Sequence, residues 1–190
     1  MRARACLITL AILAAAPAAN GQGYVGLGGG VGLPVGPTTR QSAIGWNALA
    51  FLGFGAPDIP LGVRFDGAFN RFQYKGSGDY MNIWDATANL VAPLSMTGTL
   101  VPYMIGGVGY YSIQRPGAST AACILDPGGI QTCEPPPFGA STSAFGLNGG
   151  LGVRTWSGNK FGIFLEARFH YVFSRRPEEP FIPIVLGITF

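Results

Sequence analysis

Apolar side chains recur at every second position, or give way to glycine and aromatic enrichment, in eight stretches: 23–33, 43–55, 61–74, 80–92, 99–114, 142–156, 161–173 and 181–190. The alternation is clearest in the seventh, where Phe161, Ile163, Leu165, Ala167, Phe169, Tyr171 and Phe173 share one face. Gly162, Glu166, Arg168, His170 and Ser174 share the other, with Phe164 and Val172 as its apolar members. In the third stretch Leu61, Val63, Phe65 and Phe69 oppose Arg64, Asp66, Ala68 and Asn70. In the fourth, Trp84, Ala86, Ala88 and Leu90 oppose Asp85, Thr87 and Asn89. A period of two with one wholly apolar face predicts strands that hold one side against an apolar medium. In the fifth stretch the faces stay open, because Pro102 and Tyr103 each have reason to point outward.

Composition says what that medium is. Only 11% of residues are charged, less than half the roughly 25% of an average globular protein. Mean hydropathy is +0.32, yet after residue 20 no uninterrupted apolar window is long enough for a transmembrane helix. A chain with 48% hydrophobic and 12% aromatic residues has ample surface to bury, which excludes disorder. A membrane β-barrel remains, and every stretch reaches the roughly 9–11 residues that a tilted strand needs to cross a bilayer.

Residues 1–21 read as a cleavable secretory signal: Arg2 and Arg4, an apolar run from Cys6 to Ala16, then Pro17. Cleavage is possible after Ala18 or Gly21, and residues 22–190 form the barrel domain. Export leaves Cys123 and Cys133 alone in an oxidising compartment, where a disulfide is expected. A metal site there lacks the further His or Cys ligands it would need. With two of its arginines in the leader, the net charge of +3 points to no nucleic-acid partner.

With the N-terminus on the periplasmic side, the links 56–60, 93–98 and 157–160 are short turns. Pro57, Pro60, Pro93 and Ser157-Gly158-Asn159 suit them. The long link, 115–141, falls outside, the usual arrangement in outer-membrane barrels. Aromatics gather at both strand ends and predict two girdles. Tyr24, Trp156, Phe161 and Phe190 belong to the periplasmic rim, and Tyr74, Tyr80, Tyr110, Tyr111, Tyr171 and Phe173 to the outer one.

The last stretch alternates Ile182, Ile184, Leu186, Ile188 and Phe190 up to a terminal aromatic. Together with the leader, the segment Pro102-Tyr103-Met104-Ile105-Gly106-Gly107-Val108-Gly109-Tyr110-Tyr111 and the segment Glu166-Ala167-Arg168-Phe169-His170-Tyr171, it resembles the small outer-membrane β-barrel family of the OmpA transmembrane-domain and OmpX kind. The resemblance covers essentially the whole mature chain. It implies an all-β, eight-stranded antiparallel up-and-down transmembrane barrel in the outer membrane of a Gram-negative-type cell. It also implies that Phe190, with Ile188 and Leu186, is read by the barrel-assembly machinery. It speaks to architecture far more than to activity.

By parity an eight-stranded lumen receives Arg64, Asp66, Asp85, Arg154, Glu166 and Arg168, with His170 beside them. A barrel of this size is just wide enough for side chains to fill it. Three positive and three negative groups predict a salt-bridge network that plugs the interior; a narrow ion path is the alternative reading. A lipid-modifying enzyme would need His170 beside a serine on the lipid face, whereas Ser174 stands four residues on and His170 points inward. Gly21-Gln22-Gly23-Tyr24-Val25-Gly26 matches a dinucleotide fingerprint only formally, with no strand before it and no helix after. Gly26, Gly28, Gly30 and Gly32 instead line the lumen and make room for neighbours such as Phe164 or Arg168.

No catalytic residue, metal or cofactor is expected. A monomer surrounded by outer-membrane lipid is, with a structural or surface-interaction role centred on 115–141. That link carries the cysteine pair and Pro135-Pro136-Pro137, which would stiffen it either for binding an external ligand the sequence does not name or as a protease-resistant cap. A soluble calyx is the remaining possibility, and it would turn the apolar face inward.

Overall fold

A computed structural model of the protein describes residues 22–36, 38–55, 61–76, 78–95, 98–115, 122–125, 131–134, 141–157, 161–173 and 180–190. The strands are β1 (Gln22–Pro34), β2 (Gly45–Gly55), β3 (Gly62–Gln73), β4 (Tyr80–Pro93), β5 (Leu100–Gln114), β6 (Ala122–Leu125), β7 (Gln131–Glu134), β8 (Ser141–Ser157), β9 (Phe161–Val172) and β10 (Phe181–Thr189). A single helical turn, α1 (Thr38–Gln41), follows β1. Eight strands close into an antiparallel barrel in the ring order β1-β2-β3-β4-β5-β8-β9-β10, so each barrel strand pairs with its sequence neighbours. The seam joins β10 to β1, with Leu27 opposite Ile188. It is finished by Phe190, whose N–H donates to Val25 O at 2.8 Å while Val25 N–H donates to Phe190 O at 3.1 Å.

The period-two pattern sorts side chains as the sequence reading expects. In β9, Leu165 is 47% exposed on the outer wall and its neighbour Glu166 is 1% exposed inside. Val63 and Phe65 of β3 and Trp84 and Leu90 of β4 also face outward. Arg64, Asp66, Asn70, Asp85, Thr87 and Asn89 are buried within. The ambiguous strand resolves with Met104, Val108 and Tyr110 outside and Tyr103, Ile105, Tyr111 and Ile113 inside.

The lumen is filled in layers. At the end from which the 115–141 link departs, Phe72, Met81, Ile83, Tyr111, Ile113, Ala144, Val172 and Phe181 form an apolar plug. Deeper in lies Leu49 with Phe51, Phe164 and Val185, and elsewhere in the lumen Val91 packs with Tyr103 and Ile105. The lumen-facing glycines permit this density. A Cβ on Gly28 would stand 2.7 Å from Val185 Cγ1 and 2.9 Å from Phe164 Cζ, and one on Gly152 would run into the Tyr103 ring. Arg168 takes its room from Gly150 on the adjacent strand rather than from β1.

Three parts of the sequence reading are corrected. Tyr111 belongs to the internal plug, and Tyr24 and Tyr74 pack against interior clusters, so these three leave the predicted girdles. In each case the residue's parity places it on the lumen side, and proximity to a strand end does not override parity. The 115–141 link is not irregular throughout, since β6 and β7 pair as a hairpin. Four-residue strands fall far below the length scale that marks a membrane crossing. Residues 43 and 44 precede β2 instead of opening it. The leader 1–21, Ser174, Pro135-Pro136-Pro137 and the side chain of Trp156 lie outside the described residues.

Candidate functional site

A charge cluster spans the barrel interior. Its members come from β3 and β9, which stand four places apart in a ring of eight strands and so face each other across the lumen. Alternation on β3 places Arg64 and Asp66 inward, and on β9 it does the same for Glu166 and Arg168. The Arg64 guanidinium donates to Asp66 through Nε (2.8 Å to Oδ1) and Nη2 (2.9 Å to Oδ2). It reaches across to Glu166 through Nη1 and Nη2, both at 2.8 Å. Arg168 Nη1 donates to Asp66 Oδ2 at 2.7 Å, and its Nε lies 2.8 Å from Glu166 Oε1. Two arginines and two carboxylates thus form a closed, electrically balanced set.

Neutral side chains complete it. The Tyr103 hydroxyl donates to Glu166 Oε2 at 2.7 Å, and Asn89 Nδ2 donates to Asp66 Oδ2 at 3.1 Å and to Thr87 Oγ1 at 2.8 Å. Asn148 Nδ2 donates to Asn89 Oδ1 at 2.9 Å. The Arg64 guanidinium also lies over the Phe51 ring, 4.4 Å from its centre. Charge-assisted and bidentate bonds are the strong members of the hydrogen-bond family, and a low dielectric strengthens them further. Tyr103→Phe keeps the ring and removes one bond to a carboxylate. It is expected to cost about 1.5–3 kcal/mol, read as a lowered urea midpoint of the refolded barrel.

The other sequence-predicted residues stand apart from this set. Asp85 accepts from Asn70 Nδ2 at 2.9 Å in the outer half of the lumen. Arg154 lies near the opposite rim, its guanidinium 5.8 Å from the Tyr24 ring centre and 5.9 Å from that of Tyr103. His170 is inside, with Nδ1 2.9 Å from the Tyr111 hydroxyl and its ring stacked on Phe181 at 4.8 Å. Cys123 and Cys133 are opposite partners in the backbone register of the β6–β7 hairpin. Leu186 and Phe190 are exposed on the outer wall, and Phe190 meets Phe161 edge-on at 6.0 Å.

Sequence reasoning missed Tyr103, Tyr111, Asn47 and Asn148. Asn148 stands on the same face as Arg154, and that parity was the available signal; the undecided face of β5 concealed Tyr103, and nearness to a strand end put Tyr111 in the outer girdle instead. Among the described residues no three His, Cys, Asp or Glu side chains gather as a metal would require.

Fold and lumen together define a class: a small closed β-barrel with an apolar outer wall and a packed, charge-paired interior, built to sit in a membrane. The family model for the outer membrane protein beta-barrel domain matches residues 5–180, and the chain belongs to that family. It is an integral protein of the outer membrane. Neisserial surface protein A (NspA) superposes with a TM-score of 0.63 at 14% identity, over 89% of this chain and 97% of that one. The N-terminal β-barrel domain of Pseudomonas aeruginosa OprF gives 0.48 at 13% identity, over 90% and 99%. Ail, the attachment invasion locus protein of Yersinia pestis, gives 0.49 at 14%, over 89% and 99%. At these identities the likeness concerns the fold alone. No curated protein matches the sequence.

Proposed function

We propose that this protein is a sealed, non-catalytic outer-membrane barrel that serves the envelope structurally or presents the 115–141 link for interactions outside the cell. The observation that carries the reading is the filled lumen: an apolar plug lies at the outer end, and a balanced four-charge cluster bridges β3 and β9 behind it. Ions need a wet path, and a lumen packed with mutually paired charges offers them none. His170 is bonded to Tyr111 inside the lumen, away from any lipid substrate, which supports a role without catalysis.

A disulfide between Cys123 and Cys133 would hold the external hairpin rigid, and their backbone register supports it. In this reading residues 1–21 direct export and are removed, and the barrel works as a monomer in outer-membrane lipid. Leu186, Ile188 and Phe190, at the closing seam, carry the signal for the assembly machinery. Planar-bilayer recordings of the refolded protein test the sealed lumen. The expected trace is flat, and stable unitary conductance would establish a channel instead.

A further inference from the structure

We propose that the outer half of the lumen contains a built hydration site for one ordered water, which completes a hydrogen-bonded chain from Tyr111 through His170 and the water to Asp85 and Asn70. A cavity of about 10 Å³ lies there, lined among others by Asn47, Asn70, Asp85, Arg168 and His170. On this measure a single water needs roughly 10–15 Å³ and two to four polar partners.

The partners are present. Both amide atoms of Asn47, Oδ1 of Asp85 and Nε2 of His170 are buried with no hydrogen-bonding protein group among the described residues. The residues themselves are almost wholly buried. Buried polar atoms are satisfied by protein or by ordered water, and leaving them bare is costly.

The chemistry assigns each hydrogen. The Tyr111 hydroxyl and His170 Nδ1 are 2.9 Å apart; in the proposed chain the hydroxyl donates to Nδ1 and the ring carries its proton on Nε2. That N–H needs an acceptor, which the water oxygen supplies. One water hydrogen then goes to Asp85 Oδ1, whose other oxygen already accepts from Asn70. The second goes to Asn47 Oδ1. The cationic Arg168 lines the same cavity and disfavours a metal ion there. The chain of bonds would link β2, β3, β4, β5 and β9 through their inward side chains, beginning at Tyr111 in the apolar plug.

The sequence contains a single histidine, so its ring nitrogens are read without ambiguity. The full mature chain, labelled with ¹⁵N-histidine and refolded in detergent micelles at pH 7, is examined by long-range ¹H–¹⁵N correlation. The Nε2–H tautomer is expected, with a cross-peak from that proton to a long-lived water that is unchanged when sodium replaces potassium. Asn47→Leu fills the cavity and is expected to abolish the water cross-peak. An Nδ1–H tautomer, an imidazolium, or an Nε2–H with no water cross-peak would overturn the proposal. So would a shift on cation exchange or a cross-peak that survives Asn47→Leu. Should Asn47→Leu fail to refold, the wild-type spectrum decides alone.

Discussion

Arg64→Met is expected to destabilise the folded barrel by about 3–5 kcal/mol, because it strands the Asp66 and Glu166 carboxylates in the lumen without their main counter-charge. The figure follows from the asymmetry of buried ion pairs. An intact pair roughly offsets its own desolvation, whereas removing one member leaves an uncompensated buried charge. Urea titration of the refolded protein, followed by the gel-mobility difference between folded and heat-denatured forms, would read the loss as a lower midpoint. Adding Glu166→Gln to Arg64→Met removes one charge of each sign and leaves Arg168 paired with Asp66. That double variant is expected to recover most of the loss, and a purely volumetric role for Arg64 would predict no recovery.

The second large effect concerns the outer wall. Leu165 lies near the middle of β9 on the exposed face. Leu165→Arg would place a guanidinium against hydrocarbon at bilayer depth, at a cost of about 2–4 kcal/mol. The same residue type three positions on, Arg168, is accommodated because it points into the lumen and meets Asp66 at 2.7 Å. Reversible urea unfolding in lipid vesicles is the appropriate measurement. In detergent the penalty should shrink, since a micelle deforms around the charge more easily than a bilayer.

This contrast also explains what was legible in the sequence. Wherever an apolar and a polar side chain alternated without exception, as at Phe65-Asp66 or Leu165-Glu166, the burial of each residue followed from parity. The up-and-down strand order followed from the family resemblance, and the short, turn-forming links 56–60, 93–98 and 157–160 agreed with it. Parity was uninformative in β5, where glycines and aromatics occupy both faces, and so Tyr103 went unplaced and Tyr111 was assigned to the outer girdle, although each bonds a buried polar group. Tyr24 shows a related limit: nearness to a strand end favours an interfacial aromatic, but its register beside Gly53 turns it onto Phe51 inside the barrel.

Partnership across the lumen was illegible for a different reason. Arg64 and Glu166 are 102 residues apart, and only closure of the ring sets β3 opposite β9. The sequence offered six charges in one compartment. Ring geometry draws four of them together, leaves Asp85 with Asn70, and sets Arg154 near the far rim.

The central claim, a lipid-exposed wall around a sealed interior, is tested most directly by two single-tryptophan variants at adjacent positions. Trp46, Trp84 and Trp156 are replaced by phenylalanine, and either Leu165→Trp or Phe164→Trp is added, since Phe164 is 2% exposed inside while Leu165 faces out. In vesicles, lipids brominated near the chain centre should quench the tryptophan at 165 strongly. The tryptophan at 164 should be spared by those lipids and also by aqueous acrylamide. Strong acrylamide quenching at 164 would show an open, wet lumen, and the absence of lipid quenching at 165 would show that the wall does not face the membrane.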